Sequence, residues 1–152
     1  MNNSELKDFY KQYKITPIAE IKPRTNYLNV CGQIIDIKEP KSSTTQQKYQ
    51  RVVIADFSGS IDCTHWQNTV GAFEVGDIII HCNCYSYTQE SKMTIQSGSC
   101  GTVHKIASSW NMPYSVTPKM SNVIWKTDNL GAWTSTSAPK KRHENYRERN
   151  KD

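Results

Sequence analysis

From Tyr27 onward, apolar and polar residues alternate in short β-branched runs broken by glycine, proline and serine, the two-residue period of half-buried strands. Five strands are predicted, over residues 27–37, 48–56, 60–66, 77–88 and 92–97. Residues 39–47 form a polar loop opened by Pro40, and Ser58-Gly59 is a tight turn that makes a hairpin of the second and third strands. Val70 and Phe73 stand three apart within 67–76, the spacing of a short helix that plugs one apolar end. Three strands, a short helix and two more strands are the order of an OB fold, an all-β, five-stranded Greek-key barrel with its helix between strands 3 and 4. Gly32 suits the sharp bend that such a barrel needs in its long first strand.

The pattern divides the chain into four parts: a polar extension over 1–14, the OB domain over 15–107, an ordered arm over 108–121, and a polar tail over 122–152 for which disorder is expected. The longest apolar run is Ile78-Ile79-Ile80, far short of the roughly 18–20 residues of a transmembrane helix. No apolar segment follows a basic start, so a soluble intracellular protein with no membrane partner is expected. Cys31, Cys63, Cys82, Cys84 and Cys100 are odd in number, which favours reduced thiols over a disulfide framework.

Side-chain parity sorts each strand into faces. Ile61, Cys63 and His65 are expected inside, with Trp66 outside. Ile78, Ile80, Cys82 and Cys84 form the expected inward row of the fourth strand, leaving His81, Asn83, Tyr85 and Tyr87 outside. Met93 and Ile95 go in and Lys92, Thr94 and Gln96 out, while Val52 and Ile54 oppose Arg51. The outer face thus carries Trp66, Tyr85 and Tyr87 flanked by Arg51, Lys92, Thr94 and Gln96. Open rings beside a few cations suit unpaired bases, whose stacking is worth roughly 1–3 kcal/mol each. Rings covered by a terminal segment would instead mark an assembly module.

Charge changes this picture in one respect. The net +5 arises outside the predicted barrel, because residues 15–107 hold 8 basic and 8 acidic side chains. Stacking therefore has to supply much of any affinity for nucleic acid.

A series of short stretches runs in order along the chain: Ile21-Lys22-Pro23, Ala55-Asp56 with Ser58-Gly59-Ser60-Ile61, Trp66, Gly76-Asp77-Ile78-Ile79, Tyr85, Ser97-Gly98 with Lys105-Ile106, and Met112-Pro113-Tyr114-Ser115 with Pro118. In these stretches the chain resembles the SOSS-B family, the simple single-OB-fold members of the SOSS complex, which bind single-stranded DNA. The likeness spans about residues 15–120 and rests on the whole series in order. It implies base stacking by Trp66 and Tyr85, a nuclear role in the DNA-damage response, and a large helical scaffold partner shared with an Integrator-like complex. By position, Trp110, Met112, Tyr114 and Met120 would dock that scaffold. Gln89 and Gln96 stand where family rings are expected, and Glu90 and Ser99 where basic residues are, so weaker binding is implied; Tyr87 could compensate for one ring. A single-stranded RNA ligand stays open on the aromatic face alone.

Other chemistry is read as absent. Cys82 and Cys84 share a face that His81 does not, so no zinc site converges, and no metal, cofactor or small-molecule substrate is expected. Cys63 and His65 lack a third group or an oxyanion donor, and no phosphate loop or hydrolase motif occurs, so an enzyme is not expected. Asp56 is read as closing the hairpin of the second strand. Trp125 and Trp133 could anchor a partner or fold back, and residues 140–149 are a basic run suited to nuclear import or phosphate binding, or simply solvated.

Overall fold

The computed structural model describes residues 2–108, 113–127 and 130–137. It opens with helix α1, Asn3–Gln12, where Asn2 and Glu5 form a reciprocal capping box and satisfy free N–H groups of the first turn. Leu6 and Tyr10 lie four apart and share the buried face of this helix, worth about 1.5–3 kcal/mol for a side chain of leucine size.

The strands are β1 (Leu28–Ile37), β2 (Lys41–Ser42), β3 (Lys48–Ala55), β4 (Ser60–Trp66), β5 (Ile78–Gln89), β6 (Lys92–Ala107), β7 (Ile124–Thr127) and β8 (Trp133–Ser137). The first six form one sheet in the order β1-β5-β6-β4-β3-β2, and β1 also pairs with β3. β4 and β6 run parallel; the other pairs are antiparallel. The expected five-stranded Greek-key barrel with a helix between strands 3 and 4 is thereby corrected to a mixed six-stranded sheet. The added strand, β2, arises in the loop expected to be irregular, where Lys41 and Ser42 pair with Tyr49 and Lys48. The expected helix is a single 3-10 turn, Gln67–Thr69, between β4 and β5. Gly71 and Gly76 follow it with φ of 74° and 100°, conformations that stop a helix from propagating.

Two further differences have local causes. β6 is 16 residues long rather than six. Ser97-Gly98-Ser99-Cys100-Gly101 reads as a turn, yet after a break between Cys82 and Cys84 the strand goes on pairing with β5 from Thr102 to Ala107. β7 and β8 form a hairpin inside the stretch expected to be disordered, and Trp125 packs against the core.

The core is split in two. Ile34, Ile54, Ile61, Cys63, Ile79, Cys84 and Ile95 belong to the main cluster, with Met120 and Val123 of the returning arm. Ile78, Ile80 and Cys31 face a second cluster under α1, with Leu6, Tyr10 and Ile15. The expected inward row of β5 is therefore wrong for Ile78, Ile80 and Cys82, and His81, expected outside, is fully buried. The cause is a bulge at Asn83, with φ of 54°, which reverses the strand's phase before Cys84. Gly32 is needed for close approach, since a Cβ there would sit 3.0 Å from the Ala55 carbonyl oxygen and 3.1 Å from the Ile54 Cβ.

Candidate nucleic-acid interface

Four neighbouring strands in the order β5-β6-β4-β3 build the surface, with its aromatic side chains on β3, β4 and β5. Tyr49 on β3 lies directly opposite Trp66 at the end of β4, and their rings meet at 5.2 Å between centroids with a 41° tilt. Gln96 on β6 is one step from this pair, because Thr64 pairs with Gln96 across the parallel β4–β6 junction. On its other side Gln96 faces Tyr85 of β5. The Gln96 Oε1 accepts a hydrogen bond from Trp66 Nε1 at 3.1 Å and a longer one from the Tyr85 hydroxyl at 3.5 Å. Gly98 lies against the Tyr85 ring, where a Cβ would make an ordinary van der Waals contact at 3.7 Å. One amide thus ties together two rings from different strands.

Tyr87 lies beyond Tyr85 along β5 and is 45% exposed. Arg51, half-buried, lies opposite Thr64, and Lys92 is exposed just after Glu90 and Ser91, which turn the chain at φ of 53° and 65°. Thr94 is a correction: it is only 4% exposed and presents no surface for a ligand, because it is enclosed between Asp62 of β4 and Tyr87 of β5. Tyr49 escaped the sequence reading, although its parity with Arg51, two residues on, is the signal that puts both on one face.

A groove of about 410 Å³ runs beside these rings, bordered by Trp66, Thr64, Ser97, Gly98, Thr102 and His104. Two of its residues hold buried hydroxyl oxygens without a protein hydrogen-bond partner, Thr64 Oγ1 and Ser97 Oγ. The surface therefore combines half-buried rings, an adjoining groove, two polar groups and nearby cations. That combination can hold a flat, polar, anionic ligand; it contains no activated nucleophile.

The residues that might have suggested catalysis are built into the interior. His65 and His81 meet Nε2 to Nε2 at 3.0 Å, and burial lowers their pKa values to about 4 and about 3. Both are neutral at pH 7, one nitrogen donating and the other accepting. Burial pushes the Cys31 and Cys84 thiols up to about 12 and Cys63 well above its ordinary value, so these cysteines are protonated and inert. Cys82 and Cys84 fall on opposite sides of the sheet through the Asn83 bulge, rather than sharing a face. Among the described residues no three His, Cys, Asp or Glu side chains are grouped to hold a metal ion.

Of the residues aligned with scaffold docking, Tyr114 is 50% exposed, whereas Met120 is 4% exposed and belongs to the main core. Met120 is therefore corrected from a docking residue to a core residue, because the arm returns to pair at Ser60 and brings Met120 under the sheet. Trp110, Met112 and the basic run at 140–149 lie outside the described residues.

No known protein-family model matches the chain. Solved structures do. A replication factor A related protein from Methanobacterium thermoautotrophicum superimposes with a TM-score of 0.53 at 19% identity, covering 64% of this chain and 94% of that one. An OB domain from Thermoplasma acidophilum gives 0.53 at 15% identity, covering 68% and 94%. This chain has an OB fold. A replication protein A heterotrimer bound to single-stranded DNA matches with a TM-score of 0.52 at 14% identity over 66% of this chain and 27% of that one. In this OB fold the aromatic surface lies on β3, β4, β5 and β6. No helix among the described residues is long and apolar enough to cross a membrane.

Proposed function

We propose that the chain binds single-stranded DNA by stacking bases on Trp66, Tyr85 and Tyr87, as a subunit of a nuclear genome-maintenance complex of the SOSS type. The observation that carries this reading is the shared Gln96 tether, which holds Trp66 and Tyr85 in fixed orientation on the sheet surface beside an open groove. Rings fixed in advance lose little freedom when a base arrives. Duplex DNA hides its base faces, so single strands are the preferred ligand. Arg51 and Lys92 supply phosphate contacts, and Tyr114 is the exposed member of the arm available to a helical scaffold. Likeness to replication factor A and replication protein A structures supports the nucleic-acid class, and the ordered series of matching stretches supports the SOSS-type complex.

Titration of labelled oligo(dT), with duplex DNA and matching RNA as competitors, tests the reading. Trp66→Ala is expected to weaken binding by about 1–3 kcal/mol, or about 5- to 150-fold, at unchanged melting temperature. Binding that survives this substitution but disappears from a chain ending at residue 137 would move the site to the basic terminus. Preferential displacement by RNA would change the ligand and keep the surface.

One observation favours a second reading, an OB module used for assembly: residues 15–107 carry no net charge, and Trp66 is half-covered by Tyr49. Absence of oligo(dT) binding in the same titration would select it.

A further inference from the structure

Helix α1 carries Asn3, Lys7 and Lys11 at intervals of four, and Lys14 follows three residues later, so the four lie along one stripe. The stripe borders a groove of about 720 Å³ whose apolar walls include Leu6, Ile15, Pro17 and Phe57. None of these residues belongs to the surface around Trp66. Lys7, Lys11 and Lys14 are exposed, and none of the ion pairs among the described residues includes them. No carboxylate lines the groove. Asp56, which accepts the Tyr10 hydroxyl, is wholly buried and engaged by other donors. Lys14 occupies the left-handed position just past the helix, φ 52°, where glycine is the residue of least backbone cost. The chain nonetheless places a cation there, in line with the other two.

A row of cations along an apolar trough is the complement of a helix with carboxylates spaced four and three apart beside aliphatic or aromatic residues. Nucleic acid fits less well. Tyr10 is buried and meets Phe57 edge-on, 5.3 Å between centroids at 66°, so the groove lacks a pair of open ring faces for bases. We infer that this groove docks an acidic amphipathic helix of a partner protein, independently of the stacking surface.

The probe is a fluorescein-labelled peptide of about 16 residues, long enough to form helix when bound, with Glu at i, i+4 and i+7 flanking Leu and Phe. Its control has Lys in place of each Glu. Titration with the full chain is expected to give a micromolar Kd for the acidic peptide that weakens steeply as salt rises from about 50 to about 300 mM. Lys7→Glu with Lys11→Glu is expected to weaken it at least about 10-fold, and Phe57→Ala to weaken it as well, while Trp66→Ala leaves it unchanged. Lys7→Ala with Lys11→Ala keeps helix propensity high and is expected to show the same loss at unchanged helicity, which separates docking from folding. The inference is overturned if the acidic peptide fails to bind at about 100 μM, or if the basic control binds equally well. It is also overturned if oligo(dT) displaces the peptide and itself loses affinity in the double alanine variant, which would make the groove a nucleic-acid site.

Discussion

Gln96 offers a single carbonyl oxygen to two aromatic neighbours, and its replacement separates the rings from their tether. Gln96→Met keeps the length of the side chain and removes the carbonyl acceptor. A net hydrogen bond of about 0.5–1.5 kcal/mol translates into an expected weakening of oligo(dT) binding by about 2- to 13-fold, with little change in thermal stability. Unchanged affinity would show that packing alone orients Trp66 and Tyr85. Trp66, Tyr85 and Tyr87 were legible from parity, because an outward-pointing large ring breaks the usual rule. The role of Gln96 was not: as a polar residue on a polar face it has no signature until the partners on β4 and β5 are placed beside it. Thr94 and Met120 misled for a related reason, since parity gives direction but not the cover supplied by neighbouring strands or a returning arm.

At the scale of elements, α1 is fastened to the hairpin turn by one carboxylate. Asp56 accepts hydrogen bonds from the Tyr10 hydroxyl at 3.0 Å, the Ile18 backbone N–H at 3.0 Å, and Ser58 and Gly59 of the turn itself. Reading Asp56 as a hairpin-closing residue captured the local half of this set; the bonds to Tyr10 and Ile18 span 46 and 38 residues and leave no trace in spacing. Tyr10→Phe deletes a hydrogen bond to a buried charge and is expected to lower unfolding stability by about 1.5–3 kcal/mol, read from urea midpoints at pH 7. A loss below about 0.5 kcal/mol would mean that the other donors suffice to hold Asp56. Strand positions were the most legible elements, since four of the five predicted boundaries lie within about two residues of those observed. The β7–β8 hairpin was the least, because its alternation is short and mostly polar, and its ties to the rest of the fold, Trp125 against the core and Trp133 under the Arg24 guanidinium, leave no trace in spacing.

For the whole molecule, the two histidines set the response to acid. His65 and His81 have folded pKa values of about 4 and about 3, below the ordinary 6.5, so the unfolded chain binds protons that the folded one refuses. Their contribution is fully present above pH 6.5 and is lost as pH falls toward 4 and 3. Between pH 6 and 5, where ordinary carboxylates remain largely ionised, each histidine is expected to cost up to about 1.4 kcal/mol per pH unit. Urea melts at pH 7, 6 and 5 check this; a stability that stays level over that range would contradict the buried neutral pair. The five-strand barrel read from the chain missed this pair because the phase of β5 before Asn83 was wrong, and with it the side of the sheet on which His81 lies.

That phase reversal also governs how the strand can change through descent. Residues gained or lost in pairs on either side of Asn83 preserve which side chains serve the α1 cluster and which serve the main core. Losing Asn83 alone would remove the extra residue and restore plain alternation, leaving Ile79, His81 and Cys84 on one side and Ile80 and Cys82 on the other. The bulge is thus a punctuation mark between two reading frames of burial, and Asn83 is the one residue of this stretch whose loss both frames survive.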